Sequence, residues 1–184
     1  NAVLAYGTHQ RWDDLERVYN DLKTTATRFN NNTDIAHVLA KGAVNAVAHY
    51  GTHQRWGDIE RVYNDLKATA EHFNDNTDIA LVLAQGAFNA VSDYSTHQRW
   101  DDLERVHADV RDLVARHNDA RIHTEWAKMA AVRAHAYGHT ALWESFDAAY
   151  RDFAASREAL PEKAGELATA IDGMYRVRHG DGGA

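Results

Sequence analysis

Histidine is the residue type here most able to do chemistry, and the chain holds 12 of them with no cysteine. Imidazoles four apart on a helix share a face and can hold one divalent ion. His49 with His53 and His135 with His139 have that spacing. They are metal candidates, with neither a thiolate nor an evident third ligand beside them. His9, His53 and His97 recur at one place in successive copies of a repeated segment. Helices stack about 10 Å apart, and zinc ligands reach only about 2.0–2.1 Å. One ion therefore cannot bridge that ladder, and capping of a turn is the expected role. A small ligand held by histidines is the related reading. Paired carboxylates are the other chemical candidate, at Asp13-Asp14 and Asp101-Asp102. Each pair follows a Trp at a helix start, where acids complement the helix dipole. The second copy has Gly57 in place of Asp13, which argues against acid–base catalysis. No phosphate loop, nucleophile elbow or zincin motif occurs, so the chain does not read as an enzyme and implies no cofactor.

What must position these residues is a repeat. Asn1-Ala-Val…Tyr6-Gly-Thr-His-Gln-Arg-Trp12 returns at Asn45–Trp56 and again, with Ser95 for Gly, at Asn89–Trp100. A fourth copy, Tyr137-Gly-His-Thr-Ala-Leu-Trp143, is one residue out of register. The period is about 44 residues, and the first two copies agree at roughly three positions in four. Self-similarity at such a period is the signature of stacked repeats. Pro161 is the single proline, so little interrupts helix.

Each unit reads as two helices. The first spans about Thr33 to Tyr50, with Thr33-Asp34 as the N-cap and an apolar stripe of Ile35, Val38, Leu39, Gly42, Ala43, Ala46, Val47 and Tyr50. The second spans about Trp56 to Phe73, with Ile59, Tyr63, Leu66 and Ala70 on its inner face. The connection 51–55 makes the pair antiparallel, and Gly51 is expected to end the first helix in the left-handed conformation. Small residues (Gly42, Ala43, Ala46) are expected to face large ones (Trp56, Tyr63, Phe73). Trp12, Trp56, Trp100 and Trp143, which open the second helices, are expected in the core.

The unit resembles the tetratricopeptide (TPR) repeat, through Ala43-x2-Ala46-Val47-x2-Tyr50 and Ile59-x3-Tyr63. It departs in having Val47 for the signature glycine, no closing proline and a longer unit. The resemblance implies an all-α fold, a right-handed α-solenoid of antiparallel helix pairs forming a TPR-like superhelix. It covers one repeat domain, 1–184: a truncated repeat at 1–32, repeats at 33–76, 77–120 and 121–158, a capping helix at 159–178 and a disordered tail at 179–184. The counterpart of 33–43 is missing from the first copy, so the chain reads as a piece of a longer array. The capping helix carries Leu160, Ala164, Leu167, Ile171, Met174 and Tyr175 on one side. The fourth copy drifts, with Arg133 where Ala46 and Ala90 stand and Met129 in the place of Gly42.

In such arrays the first helices line a concave groove for protein or peptide ligands. By position, the groove residues would be Lys41, Val44, Asn45 and Ala48; Gln85, Phe88, Asn89 and Ser92; and Lys128, Ala131 and His135. Asn is unfavourable in mid-helix. Asn45 and Asn89 therefore either offer an amide to a peptide backbone or bond a neighbouring helix. Phe88 lies off the main stripe, as an inter-repeat contact or a groove floor. Self-association through unfinished repeat ends, giving an array stacked end to end, is the alternative. The net charge of −7, without a basic block, excludes a usual nucleic-acid surface. Mean hydropathy is −0.58, and no apolar run reaches the roughly 20 residues of a membrane span. The absence of cysteine fits a reducing cytoplasm.

Overall fold

The computed structural model describes residues 2–180, and within them the regular structure is entirely helical. The helices are α1 (Ala2–Thr8), α2 (Trp12–Arg28), α3 (Thr33–Thr52), α4 (Trp56–His72), α5 (Thr77–Thr96), α6 (Trp100–Arg116), α7 (Ala120–His139), α8 (Trp143–Ser156) and α9 (Gly165–His179). No described helix is long and apolar enough to cross a membrane. The sequence suggests one repeat domain, but the chain divides into two compact units, Asn1–Asp93 and Tyr94–Ala184, with the division inside α5.

Local chemistry fixes the helix ends. The N-cap of α3 is Asn32, one residue before the expected Thr33-Asp34. Its Oδ1 accepts from the backbone N–H groups of Asp34 (3.0 Å) and Ile35 (3.1 Å). Asn76 Oδ1 likewise accepts from Ile79 N–H, and Asp119 accepts from Arg121 N–H at 2.8 Å. These side chains satisfy donors that the first helical turn leaves without partners. The last of them starts α7 at Ala120, inside the segment assigned to the preceding repeat.

The turns between paired helices correct the expectation for Gly51, which lies inside α3. The left-handed residue is Gln54 (φ 56°), as are Gln10, Gln98 and Ala141 in the other copies. Arg55 N–H donates to Tyr50 O (2.9 Å) and Gln54 N–H to Gly51 O (2.9 Å), which is a Schellman motif with glutamine at the left-handed position. The same two bonds close the turns at Arg11, Arg99 and Leu142. Gly51 is needed for a different reason: a Cβ there would overlap the Asp93 carboxylate, as one at Gly7 would overlap the His49 ring.

In the unit Asn1–Asp93, α3 packs on α4, α2 and α1. Its core holds Leu15, Tyr19, Ala43, Val47, Tyr50, Ile59, Tyr63 and Leu66, each at most 1% exposed. The mid-helix glycines of α3 and α5 meet the second helix of the preceding copy, not of their own. Gly42 faces Leu22, and Gly86 faces Leu66. Trp12 and Trp56 are half-buried at the rim, and Phe73 ends α4 as its half-buried C-cap.

In the unit Tyr94–Ala184, α7 packs on α6, α8 and α9. Ala130, Ala131, Ala134, Tyr137, Phe146, Phe153 and Ile171 form its core, with the half-buried Trp100 and Trp143 against them. A helix follows Pro161 as expected but starts later. Two 3-10 turns, Arg157–Ala159 and Glu162–Ala164, flank Pro161, and only then does α9 begin. It docks through Ile171, through Met174 under Gly138 and through Tyr175, which stacks on Tyr150 at 3.8 Å. Of the expected disordered tail, His179 is the ordered end of α9, donating from Nε2 to Asp147 Oδ1 at 2.8 Å. Residues 181–184 lie outside the described residues.

Candidate functional site

The groove candidates fall into two groups. On α3, Val44, Asn45 and Ala48 are half-buried and Lys41 is exposed. On α5, Phe88, Asn89 and Ser92 are half-buried and Gln85 is exposed. Both sets belong to the unit Asn1–Asp93. Their helices are adjacent there, since the Cβ position of Gly86 lies 3.4 Å from Val44 Cγ2. Neither Asn45 nor Asn89 makes a side-chain hydrogen bond among the described residues. The reading in which these amides bond a neighbouring helix therefore fails. Each leaves a carbonyl and two N–H donors available.

The candidates on α7 behave differently. Lys128 donates from Nζ to Glu125 at 2.5 Å. Ala131 is fully buried in the core of its unit, which corrects its assignment to a groove, because no ligand can reach it. His135 is turned to His139, their Nε2 atoms 3.0 Å apart, so one ring donates to the other. Burial, and then the neighbouring His139, lowers the pKa of His135. Two nitrogens 3.0 Å apart could share an ion with ligand distances of about 2.0–2.1 Å. Among the described residues, however, no three His, Cys, Asp or Glu side chains are placed to hold a metal.

The pair His49 and His53 is not assembled as a metal site. His53 Nδ1–H donates to the His49 backbone carbonyl at 2.9 Å. The His53 ring stands edge-on to Trp12 at 4.8 Å between centroids, while the His49 ring lies under Gly7. His53 is thus the C-cap residue of α3.

The carboxylates at the second-helix starts serve the turns. Asp58 accepts from Arg55 Nε at 2.7 Å and from Arg61 at 3.1 Å, and Asp14 and Asp102 repeat this between their own arginines. The Arg55 guanidinium also covers the Tyr50 and Trp12 rings. The repeated Tyr…Gln-Arg-Trp-x-Asp run is therefore a turn-locking device. Asp13 and Asp101 stay exposed.

A polar cluster in the unit Tyr94–Ala184 carries the strongest electrostatics. Arg133, 5% exposed, forks onto Glu104 (2.7 and 2.9 Å) and reaches Asp152 Oδ2 at 2.8 Å. Tyr137 OH donates to the same Glu104. Burial works against the guanidinium, but the bonds from Glu104 outweigh it and its pKa is raised. Beside it lies His107, 1% exposed, with neither ring nitrogen hydrogen-bonded. It stacks on Trp126 at 4.1 Å, and its Nε2 is 3.9 Å from Asp152 Oδ2. Burial, then the charges of Arg133 and Arg111, pushes His107 down to about 3. The sequence shows Arg133 as a departure from alanine. His107 is found only by aligning the copies, where Tyr19 and Tyr63 stand at its position. The cluster ties α6, α7 and α8 together through Glu104, Arg133 and Asp152.

A cavity of about 310 Å³ lies between α2, α3 and α4, lined by Leu39, Ala68 and Phe73 with Lys23, Asp65 and His72 at its polar side. Lys23 and Asp65 pair across it at 2.6 Å, so its charged groups are already matched to each other. None of the groove candidates lines it. No protein-family model, curated protein or solved structure matches the chain.

Proposed function

We propose that this chain is a non-enzymatic, TPR-like scaffold, a right-handed solenoid of helix pairs that holds an extended protein or peptide on its first helices. The binding face is narrowed to α3 and α5, with Asn45 and Asn89 as backbone-reading amides, Val44 and Phe88 as apolar contacts, and Lys41 and Gln85 at the edge. The observation that carries the reading is the pair of half-buried mid-helix amides, forty-four residues apart, that make no side-chain hydrogen bond among the described residues. Asn is unfavourable in a helix interior. An amide at the same place in adjacent repeats suits a peptide whose backbone presents donors and acceptors at intervals.

Affinity capture with the wild-type chain and with the double variant Asn45→Arg/Asn89→Arg tests this. Both positions are half-buried at the surface, so circular dichroism should show the variant folded. Partners retained by the wild type are expected to be lost from the variant. Identical partners on both would overturn the assignment of this face.

A further inference from the structure

The fourth copy of the repeated turn departs from the other three, and two of its departures fall together. Aligned on Tyr6, Tyr50, Tyr94 and Tyr137, the positions of Leu4, Ala48 and Ser92 become His135, and those of Thr8, Thr52 and Thr96 become His139. In the earlier copies Thr8 and Thr52 serve the turn, each hydroxyl donating at 2.9 Å to the carbonyl four residues before it. In the fourth copy Thr140 takes that role, donating to Ala136 O at 2.9 Å. The order Thr-His is thus inverted to His-Thr, and position 139 is released from the turn.

That inversion decides whether two imidazoles meet. His53 stands outside α3 as its C-cap, and its Nδ1 bonds the His49 carbonyl rather than the His49 ring. His139 is the last residue of α7, one turn after His135, so both rings leave the same face of the helix. Their Nε2 atoms are 3.0 Å apart while the ring centres are 4.2 Å apart, so the rings converge at their nitrogens. His139 is exposed and His135 half-buried, which leaves the pair within reach of ions in solution.

Two nitrogens 3.0 Å apart, each about 2.0–2.1 Å from one ion, subtend about 91–97° at it. A tetrahedral centre would hold them roughly 3.3–3.4 Å apart at the same bond lengths. The observed spacing is that of neighbouring positions in a square or tetragonal field, the geometry of Cu²⁺ and Ni²⁺. We infer that His135 and His139 form a two-imidazole site for a divalent late transition-metal ion, Cu²⁺ before Ni²⁺, with water in the remaining positions. Two histidines at this spacing hold zinc in the H-E-x-x-H motif, but there a third protein ligand completes the site. Among the described residues no third His, Cys, Asp or Glu is placed to do so. On binding, the ring that donates to its neighbour carries its proton on Nδ1 instead, and both Nε2 lone pairs face the ion. The site uses neither Asn45 nor Asn89.

The test is isothermal titration of the intact chain with Cu²⁺, Ni²⁺ and Zn²⁺ alone, with electron paramagnetic resonance of the copper-loaded protein. One equivalent of Cu²⁺ is expected to bind ahead of any other, with two equatorial nitrogens in its spectrum, and Ni²⁺ to bind no more weakly than Zn²⁺. His135→Gln and His139→Gln, with folding checked by circular dichroism, are each expected to weaken that equivalent at least about tenfold, because the second imidazole binds intramolecularly. His49→Gln/His53→Gln is expected to leave it unchanged. Copper binding by His135→Gln or His139→Gln equal to that of the wild type would overturn the inference, as would the absence of a saturable equivalent. Equal losses from all of these variants would mean adventitious binding spread over the 12 histidines, and would overturn it too. Tighter binding of Zn²⁺ than of Ni²⁺ would overturn the choice of ion.

Discussion

The two compact units solve one packing problem with different chemistry. Tyr19 is buried in the first, and its hydroxyl reaches Asp65 at 3.4 Å. The corresponding position of the second holds His107, which faces the corresponding acid, Asp152, at 3.9 Å without bonding it. The smaller ring is matched by a larger neighbour, since Trp126 stands where Leu39 and Leu83 stand in the earlier copies. Alanine at positions 46 and 90 becomes Arg133, and the charge missing from His107 is delivered to Asp152 by that guanidinium. The first unit is held by small-against-large apolar packing with charges at its edge. The second gives up part of that packing for a buried ion cluster. Repetition thus marks positions that packing fixes, and departure from it marks positions where several residues changed together.

The largest effect should come from leaving Arg133 buried without its acids. Glu104→Gln with Asp152→Asn is expected to lower stability by about 3–5 kcal/mol, the cost of breaking a buried pair from one side. Its counterpart in the first unit, Glu16→Gln, removes an exposed pair with Arg61 at 3.3 Å and should change stability by less than about 1 kcal/mol. Urea denaturation reads both, and equal effects would erase the distinction between the units.

The exchange of ring sizes is tested by a double-mutant cycle. His107→Tyr alone drives a larger ring against Trp126 and is expected to lose about 1–3 kcal/mol. Adding Trp126→Leu restores the repeat's pairing and should recover that loss, a coupling that additive mutations would not show. The cycle also has a pH signature. Folded His107 titrates near 3, below its unfolded value, so the unfolded chain binds the extra proton between those pH values. Its burden on stability is absent above about pH 6.5 and grows as pH falls toward 3, by up to about 1.4 kcal/mol per pH unit. The double variant lacks this burden, and its advantage over wild type should widen over that window. A constant difference from pH 7 to pH 4 would show that His107 is not buried in its neutral form.

Much of the fold is legible in the sequence because one pattern is written three times. Helix number, the second-helix starts at Trp12, Trp56 and Trp100, and the core tyrosines follow from spacing. What spacing does not carry is direction between copies. The stripe including Val38 predicts burial, yet Val38 is exposed while its counterpart Val82 is buried. Likewise Gly42 meets Leu22 of the preceding helix, which no periodicity within one unit reveals. Of the candidate site, the positions on α3 and α5 follow from the repeat. On α7 the same extrapolation places Ala131 in a groove, but it packs into the core beside Ala130 and Ala134, while Lys128 and His135, placed by the same offset, stay half-buried.

The turns allow a finer comparison, between two residues three apart whose roles sequence reasoning exchanges. Glycine before a second helix reads as the left-handed cap, so Gly51→Ala should strain the backbone and Gln54 should be indifferent. The structure reverses this. At Gly51 the backbone is helical and the obstacle is Asp93, so alanine is expected to cost about 1–3 kcal/mol through overpacking. Shortening the obstacle with Asp93→Ala should relieve that cost, which it could not do for a strained dihedral. At Gln54 the dihedral is the obstacle, φ being 56° with a Cβ present. Gln54→Gly removes the left-handed penalty of about 1–2 kcal/mol but frees the unfolded chain, leaving a net gain of about 0.5–1 kcal/mol. Gln10→Gly and Gln98→Gly should add nearly independently, since the turns are separate Schellman motifs with their own bonds. A rise in melting temperature for each glycine, with a fall for Gly51→Ala, would place the strain of this turn at the glutamine. The opposite signs would return it to the glycine.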